Sequence, residues 1–160
     1  MPAGARVGVV VNDVGAIEVD AALLAGRVDE AESIAGGCVC CLPDAGGLDD
    51  ALERLTHPRL RLDAVIVEAS GVADPTTLAR LIRFSGAANA RPGGLVEVVD
   101  AVEYTRTVDD GPVPPARFAA ATLVVLNKMD RIPPGERDAV VAAITARVRR
   151  RNPTVPIVPV

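Results

Sequence analysis

The sequence predicts an α/β protein, a mostly parallel sheet flanked by helices, and three observations predict it. Short apolar, β-branched runs recur along the chain, stretches of helical period lie between them, and the two kinds of segment alternate. At 160 residues, 49% of them hydrophobic, the chain is long enough to bury one core, and its length argues for a single domain over 1–160.

The apolar runs are RVGVVVN (6–12), DAVIVEAS (63–70), GLVEVVDA (94–101), ATLVVLNKMD (121–130) and TVPIVPV (154–160). Their near-continuous apolar character predicts strands buried on both faces, as in a parallel sheet covered by helices. Helical periods fall between them: Leu48, Ala51, Leu52 and Leu55; then Leu78, Leu81 and Ile82; then Val140, Val141, Ile144 and Val148. The helix after the second run has a marked start, because Asp74 can cap it, Pro75 suits its first position, and Gly86 suits the far end. Loops are expected at DDGPVPP (109–115) and RIPPGE (131–136). The chain contains no internal repeat.

Composition narrows the function. A net charge of −4 gives no basic footprint for nucleic acid or an anionic membrane, and Arg149, Arg150 and Arg151 read as a solvated helix end. No run of 18 apolar residues occurs, and the N-terminal MPAGARVGVVVN lacks a signal-peptide core. A cytoplasmic chain with no nucleic-acid or membrane partner is expected. All three cysteines lie within four positions of GGCVCCLPDAGG (36–47), and in a reducing compartment that points to metal or redox chemistry rather than a structural disulfide.

In open parallel sheets the ligand sits beyond the carboxyl ends of the strands, so strand exits carry the chemistry. The run TLVVL leads into Asn127-Lys128-Met129-Asp130, which matches the NKxD guanine-recognition pattern. A carboxylate at Asp130 can accept from both N1–H and the 2-amino group of guanine; adenine would leave that buried charge unpaired. Asn127 would support the base, and the Lys128 stem would lie along its plane. Read alone, the tetrapeptide can also be a capped turn. The run AVIVEASGVADP ends in Glu68, with Gly71 three residues on, in the manner of the magnesium-holding acid and the switch glycine of GTPases. There the acid would hold Mg²⁺ through water, and the glycine N–H would approach a γ-phosphate. Gly71 and Asp74 also suit an ordinary strand-to-helix turn.

Cys38, Cys40 and Cys41 supply up to three thiolates, soft ligands suited to Zn²⁺, Cu(I) and, less tightly, Co²⁺. Three ligands leave a tetrahedral site open, which fits transfer better than permanent structure. Adjacent Cys40 and Cys41 point apart in an extended chain, so at least two of the three are expected to share an ion. The flanking Gly36, Gly37, Gly46 and Gly47 would let the loop rearrange. His57, the only histidine, reads as a residue at a surface helix end and not as a ligand.

Taken in order, VVVNDVGAIEVDAALL, GGCVCCLP, VIVEASGVADP, VVLNKMD and NPTVPI resemble the CobW-type metallochaperone GTPases, relatives of the nickel-delivery GTPases for hydrogenase and urease. The resemblance implies a P-loop-GTPase-like fold and a nucleotide-dependent chaperone. Such a protein would use GTP/GDP with Mg²⁺ and load zinc, cobalt or a similar ion into a client metalloprotein, or support cobalamin synthesis. Asp20 matches the family's switch aspartate, with a switch-positioning or metal-shell role implied; Asp13 and Glu18 are further acids of that segment. Where family members often read NEFGE, this chain has Asn12-Asp13-Val14-Gly15-Ala16, so metal affinity or identity is expected to differ.

Lys128 is the only lysine, and no G-x-x-x-x-G-K-[ST] phosphate loop occurs in these residues. The family's first strand, P-loop and first helix are expected before residue 6 of a longer protein, and its C-terminal domain after residue 160. Three readings follow. The first is a metal-delivering GTPase of which these residues are a part. The second is a short paralogue that binds metal without turning over nucleotide, and the third a thiol redox or metal-buffering protein.

Overall fold

The computed structural model describes residues 4–13, 28–35, 46–69, 74–111 and 115–160, with side chains omitted at 12, 13, 33, 35 and 46. The chain divides into two compact units, Met1–Pro92 and Gly93–Val160, each with its own three-stranded parallel sheet and its own apolar cluster.

In the first unit, strand β1 (Val7–Asp13) lies at the centre, with β2 (Glu30–Ala35) and β3 (Ala64–Glu68) on either side. The register sets Gly8 against Glu30 on one edge and Val65 on the other. Val9, Val10 and Val11 are buried, as expected of a central parallel strand. Helix α1 (Gly46–Leu55) places Leu48, Ala51, Leu52 and Leu55 against Val10 and Ile34, so the expected helical stripe is the face that packs. Strand β2 is absent from the sequence reading. Its EAESIA composition carries little β-propensity, and only Ile34 is known to be buried on it. It is held by its pairing with β1 and by Arg54 of α1, which donates to both carboxylate oxygens of Glu32 at 2.9 and 3.0 Å. Helix α2 (Pro75–Arg83) starts as its sequence requires: Asp74 accepts from the Thr77 N–H at 2.8 Å and from its hydroxyl at 2.6 Å. Its end differs from expectation. Phe84 closes the helix through its N–H to the Arg80 carbonyl, and Gly86 lies beyond, without a positive φ.

In the second unit, β5 (Leu123–Asn127) is central between β4 (Val96–Asp100) and β6 (Ile157–Pro159). Gly94, at φ 139°, turns the chain tightly past Thr122, whose hydroxyl bonds both the N–H and the carbonyl of Leu95 at 2.9 and 3.0 Å. That clamp starts β4 and β5 in register. A short helix α3 (Tyr104–Thr107) and a 3-10 turn (Ala116–Ala119) connect β4 to β5, and α4 (Arg137–Arg149) connects β5 to β6. The core joins Val99, Val124, Leu126, Tyr104, Phe118, Ile144 and Val148, among others.

The expectation of strands buried on both faces fails for β3, where Ile66 is 48% exposed, and for β4 and β6. Val96 is 55% exposed, Val98 60% and Val158 43%, while Val99 and Val124 are fully buried. The reason is one-sided packing: these side chains sit on one sheet face, and the described helical and loop residues that form the core pack on the other. Arg149, Arg150 and Arg151 are exposed at the end of α4, and His57 is exposed just past α1, both as expected.

Candidate functional site

The described part of the site grows from the end of β5. Asn127 is the last residue of that strand, and the parallel register sets it opposite Asp100, the last residue of β4. The chain then reverses through Lys128, which adopts the left-handed conformation at φ 64° and ψ 29°, uncommon for a residue with a Cβ. Two local interactions accompany this turn. The Lys128 N–H donates to Asn127 Oδ1 at 2.8 Å, and Met129, buried in the core, donates its N–H to the Val160 carbonyl at 3.1 Å. A 3-10 turn (Met129–Arg131) follows. Arg137, in the first turn of α4, braces it by donating to the carbonyls of Ile132 at 3.0 Å and Asp130 at 3.3 Å.

The result is a hydrogen-bonded strand exit on which Asn127, Lys128 and Asp130 stand together. Asp130 is exposed, and its carboxylate has no hydrogen-bond partner among the described residues, so both oxygens are available to an incoming donor pair. Lys128 has its stem partly covered and its ammonium 2.6 Å from Asp100 Oδ2. Asp100 Oδ1 accepts from the N–H groups of Val102 and Glu103 at 3.0 and 3.3 Å. The hydrogen bond from the Lys128 ammonium, with the help of these N–H groups, holds the Asp100 carboxyl below its ordinary range against the opposing effect of burial.

Asp100 is a residue the sequence reading did not single out, although a signal was there. It follows the apolar stretch GLVEVV as Glu68 follows DAVIV, at a strand exit, where a parallel sheet places its ligand-facing acids. Glu68 closes β3 in the first unit, opposite Val11, with an exposed side chain. Asp20, Gly71, Cys38, Cys40 and Cys41 lie outside the described residues. Among the described residues no group of three or more His, Cys, Asp or Glu side chains has a geometry that would hold a metal, and no helix is long and apolar enough to cross a membrane. A hollow of about 570 Å³ in the second unit, lined by Tyr104, Asp109, Ile144 and Arg147, does not include the Asn127–Asp130 turn.

Parallel sheets flanked by helices, with an NKxD turn at a strand exit, define a narrow set of folds, and comparison with known proteins narrows it further. Residues 1–158 match the model of the CobW/HypB/UreG nucleotide-binding domain. The chain belongs to this family. It is 27% identical over 135 aligned positions to zinc chaperone YjiA of Escherichia coli (strain K12), covering 79% of this chain and 42% of that protein. It is 28% identical over 177 aligned positions to zinc chaperone CobW of Sinorhizobium sp, covering 92% and 50%. It is 27% identical over 138 aligned positions to zinc-regulated GTPase metalloprotein activator 1 of Schizosaccharomyces pombe (strain 972 / ATCC 24843), covering 81% and 33%. The chain thus spans half or less of the length of these relatives. The fold is similar to that of the Zn(II)-bound YjiA GTPase from E. coli in its crystal structure, at a TM-score of 0.61 and 18% identity, over 96% of this chain and 48% of that one. That likeness makes the fold α/β and P-loop-GTPase-like, as the sequence predicts.

Proposed function

We propose that this chain is the guanine-recognising part of a GTP-dependent metal-delivery protein, and that its cargo is zinc, or cobalt, for a client metalloprotein or the cobalamin pathway. The observation that carries the reading is the braced Asn127–Asp130 turn with its open Asp130 carboxylate, in a chain whose family is that of nucleotide-binding CobW-type domains. In this reading Asp130 accepts from N1–H and the 2-amino group of guanine, Asn127 supports the ring from the strand end, and the Lys128 stem lies on its face. Glu68, exposed at the end of β3, would hold Mg²⁺ through water, an ion that would neutralise phosphate charge. Gly71 would offer its N–H to the terminal phosphate, and Asp20 would take the switch position. Cys38, Cys40 and Cys41 would carry the ion as thiolates, and an open fourth position suits handing it on. The site of action is the cytoplasm, where thiols stay reduced.

The test is a titration of the reduced, metal-free chain into fluorescent GDP with Mg²⁺, competed by unlabelled GDP and by ADP. GDP is expected to displace the probe and ADP not. Asp130→Asn is expected to move the preference from guanine toward xanthine, whose ring offers a carbonyl where guanine has its amino group. Equal displacement by ADP, or an unchanged preference in the variant, would remove the turn from base recognition.

A further inference from the structure

Lys128 stands out because its geometry is settled from two sides. Its backbone is held in the left-handed turn, and its ammonium reaches 28 positions back along the chain to the end of the neighbouring strand. The contact is made by strand pairing: Asp100 and Asn127 are register partners, and the Ala101 N–H donates to the Asn127 carbonyl at 3.0 Å, so the two strand ends leave the sheet side by side. A lysine following Asn127 therefore starts beside Asp100, and the left-handed φ carries its stem across the sheet end toward that carboxylate.

We propose that Asp100 is a positioning residue for base recognition: its Oδ2 anchors the Lys128 ammonium so that the lysine stem presents one fixed apolar face to the planar ring of a guanine nucleotide. The inference rests on the guanine reading above and adds to it a residue outside the NKxD tetrapeptide. A four-carbon stem otherwise loses much rotamer freedom on ordering against a ring, and a pre-anchored ammonium removes part of that cost before the nucleotide arrives. The two oxygens of Asp100 divide their work. Oδ1 holds the turn at Val102 and Glu103, and Oδ2 holds the lysine. The two duties are separable by substitution, because asparagine keeps a carbonyl oxygen for the turn while replacing the charged partner of the ammonium.

The test uses the fact that Lys128 is the sole lysine in the 160 residues. Lysine labelled with ¹³C and ¹⁵N gives one Cε–Nζ ammonium signal, which reads the anchor directly in the nucleotide-free chain. In Asp100→Asn that signal is expected to move to the position of a solvated lysine. GDP affinity is expected to fall by roughly three- to fivefold, the range for a partly exposed ion pair. The preference for GDP over inosine diphosphate should stay unchanged, since the 2-amino group is read by Asp130. In a Lys128→Met background, Asp100→Asn should have no further effect on GDP affinity. Asp100→Asn binding GDP as tightly as the parent overturns the proposal while leaving guanine recognition standing. A full loss persisting in the Lys128→Met background also overturns it, because it assigns the effect to the turn alone. If the parent chain distinguishes GDP from ADP no better than chance, both the guanine reading and the anchor fall.

Discussion

Asp109 is the residue on which the second unit depends most visibly. Its side chain is 1% exposed and still charged, because three donors surround it. Arg147 approaches with Nε at 2.6 Å and with Nη2 on the other oxygen, and the Tyr104 hydroxyl donates at 2.7 Å. Arg147 also donates to the Gly111 carbonyl at 2.7 Å, so one guanidinium ties α4 to the loop after α3. The Arg147 bonds hold the Asp109 carboxyl below its ordinary range despite burial, and the Tyr104 bond adds to this. Burial, then the hydrogen bond to Asp109 and the charge of that carboxylate, push the Tyr104 phenol up. The sign follows from linkage. A carboxyl that binds its proton more weakly folded than unfolded contributes stability that is present above the unfolded value of about 3.9 and is lost as pH falls through the lower folded value. Asp109→Asn is therefore expected to cost about 3 kcal/mol near neutral pH, since it leaves Arg147 without its anion. It should also flatten the fall in stability below about pH 4. Urea unfolding across that range measures both, and an unchanged midpoint would contradict them. Glu97 has the opposite sign: burial raises it, only partly offset by Arg117 at 2.9 Å, so its ionisation works against the fold as pH rises.

At the scale of elements, helices were the most legible part of the chain. The stripes Leu48–Leu55 and Val140–Val148 are fixed by a period of 3.6, and both face their cores. The start of α2 was equally plain, since a cap is a contact between residues three apart. Asp74→Ala is expected to lower stability by about 1 kcal/mol, read as a shift in the urea midpoint with an unchanged slope. No shift would mean that Pro75 alone starts the helix. Strands were legible where burial made them apolar and illegible where it did not. β2 carries no strand signal in its sequence because an edge strand with glutamates at 30 and 32 needs no apolar face of its own; its partner β1 supplies the ladder. The continuous apolar runs of β4 and β6 hid the opposite error, since Val96, Val98 and Val158 face outward.

For the whole molecule, the consequence of the proposed function is a coupling between metal and nucleotide. If the thiol loop and the nucleotide site bias one another, zinc must change GTP affinity by the same factor by which GTP changes zinc affinity. Paired titrations should give equal factors, and Cys40→Ala with Cys41→Ala should abolish tight zinc binding and bring the factor to one. Tight zinc binding retained by the double variant would place the metal elsewhere.

The amino-acid sequence by itself determined the α/β class, the helical faces, the α2 cap and the position of Asn127-Lys128-Met129-Asp130 at a strand end. Each of these is written in residues near one another, where dihedral preference, periodicity and strand length act locally. The three-dimensional structure alone decided that the described residues form two three-stranded sheets, that β2 exists, and that Val96 and Val98 are exposed. It alone joined Asp100 to Lys128 and Asp109 to Arg147, pairs 28 and 38 positions apart. Those contacts depend on which strands pair and in what register, a choice made by the burial of the whole sheet and invisible in any short window of the chain.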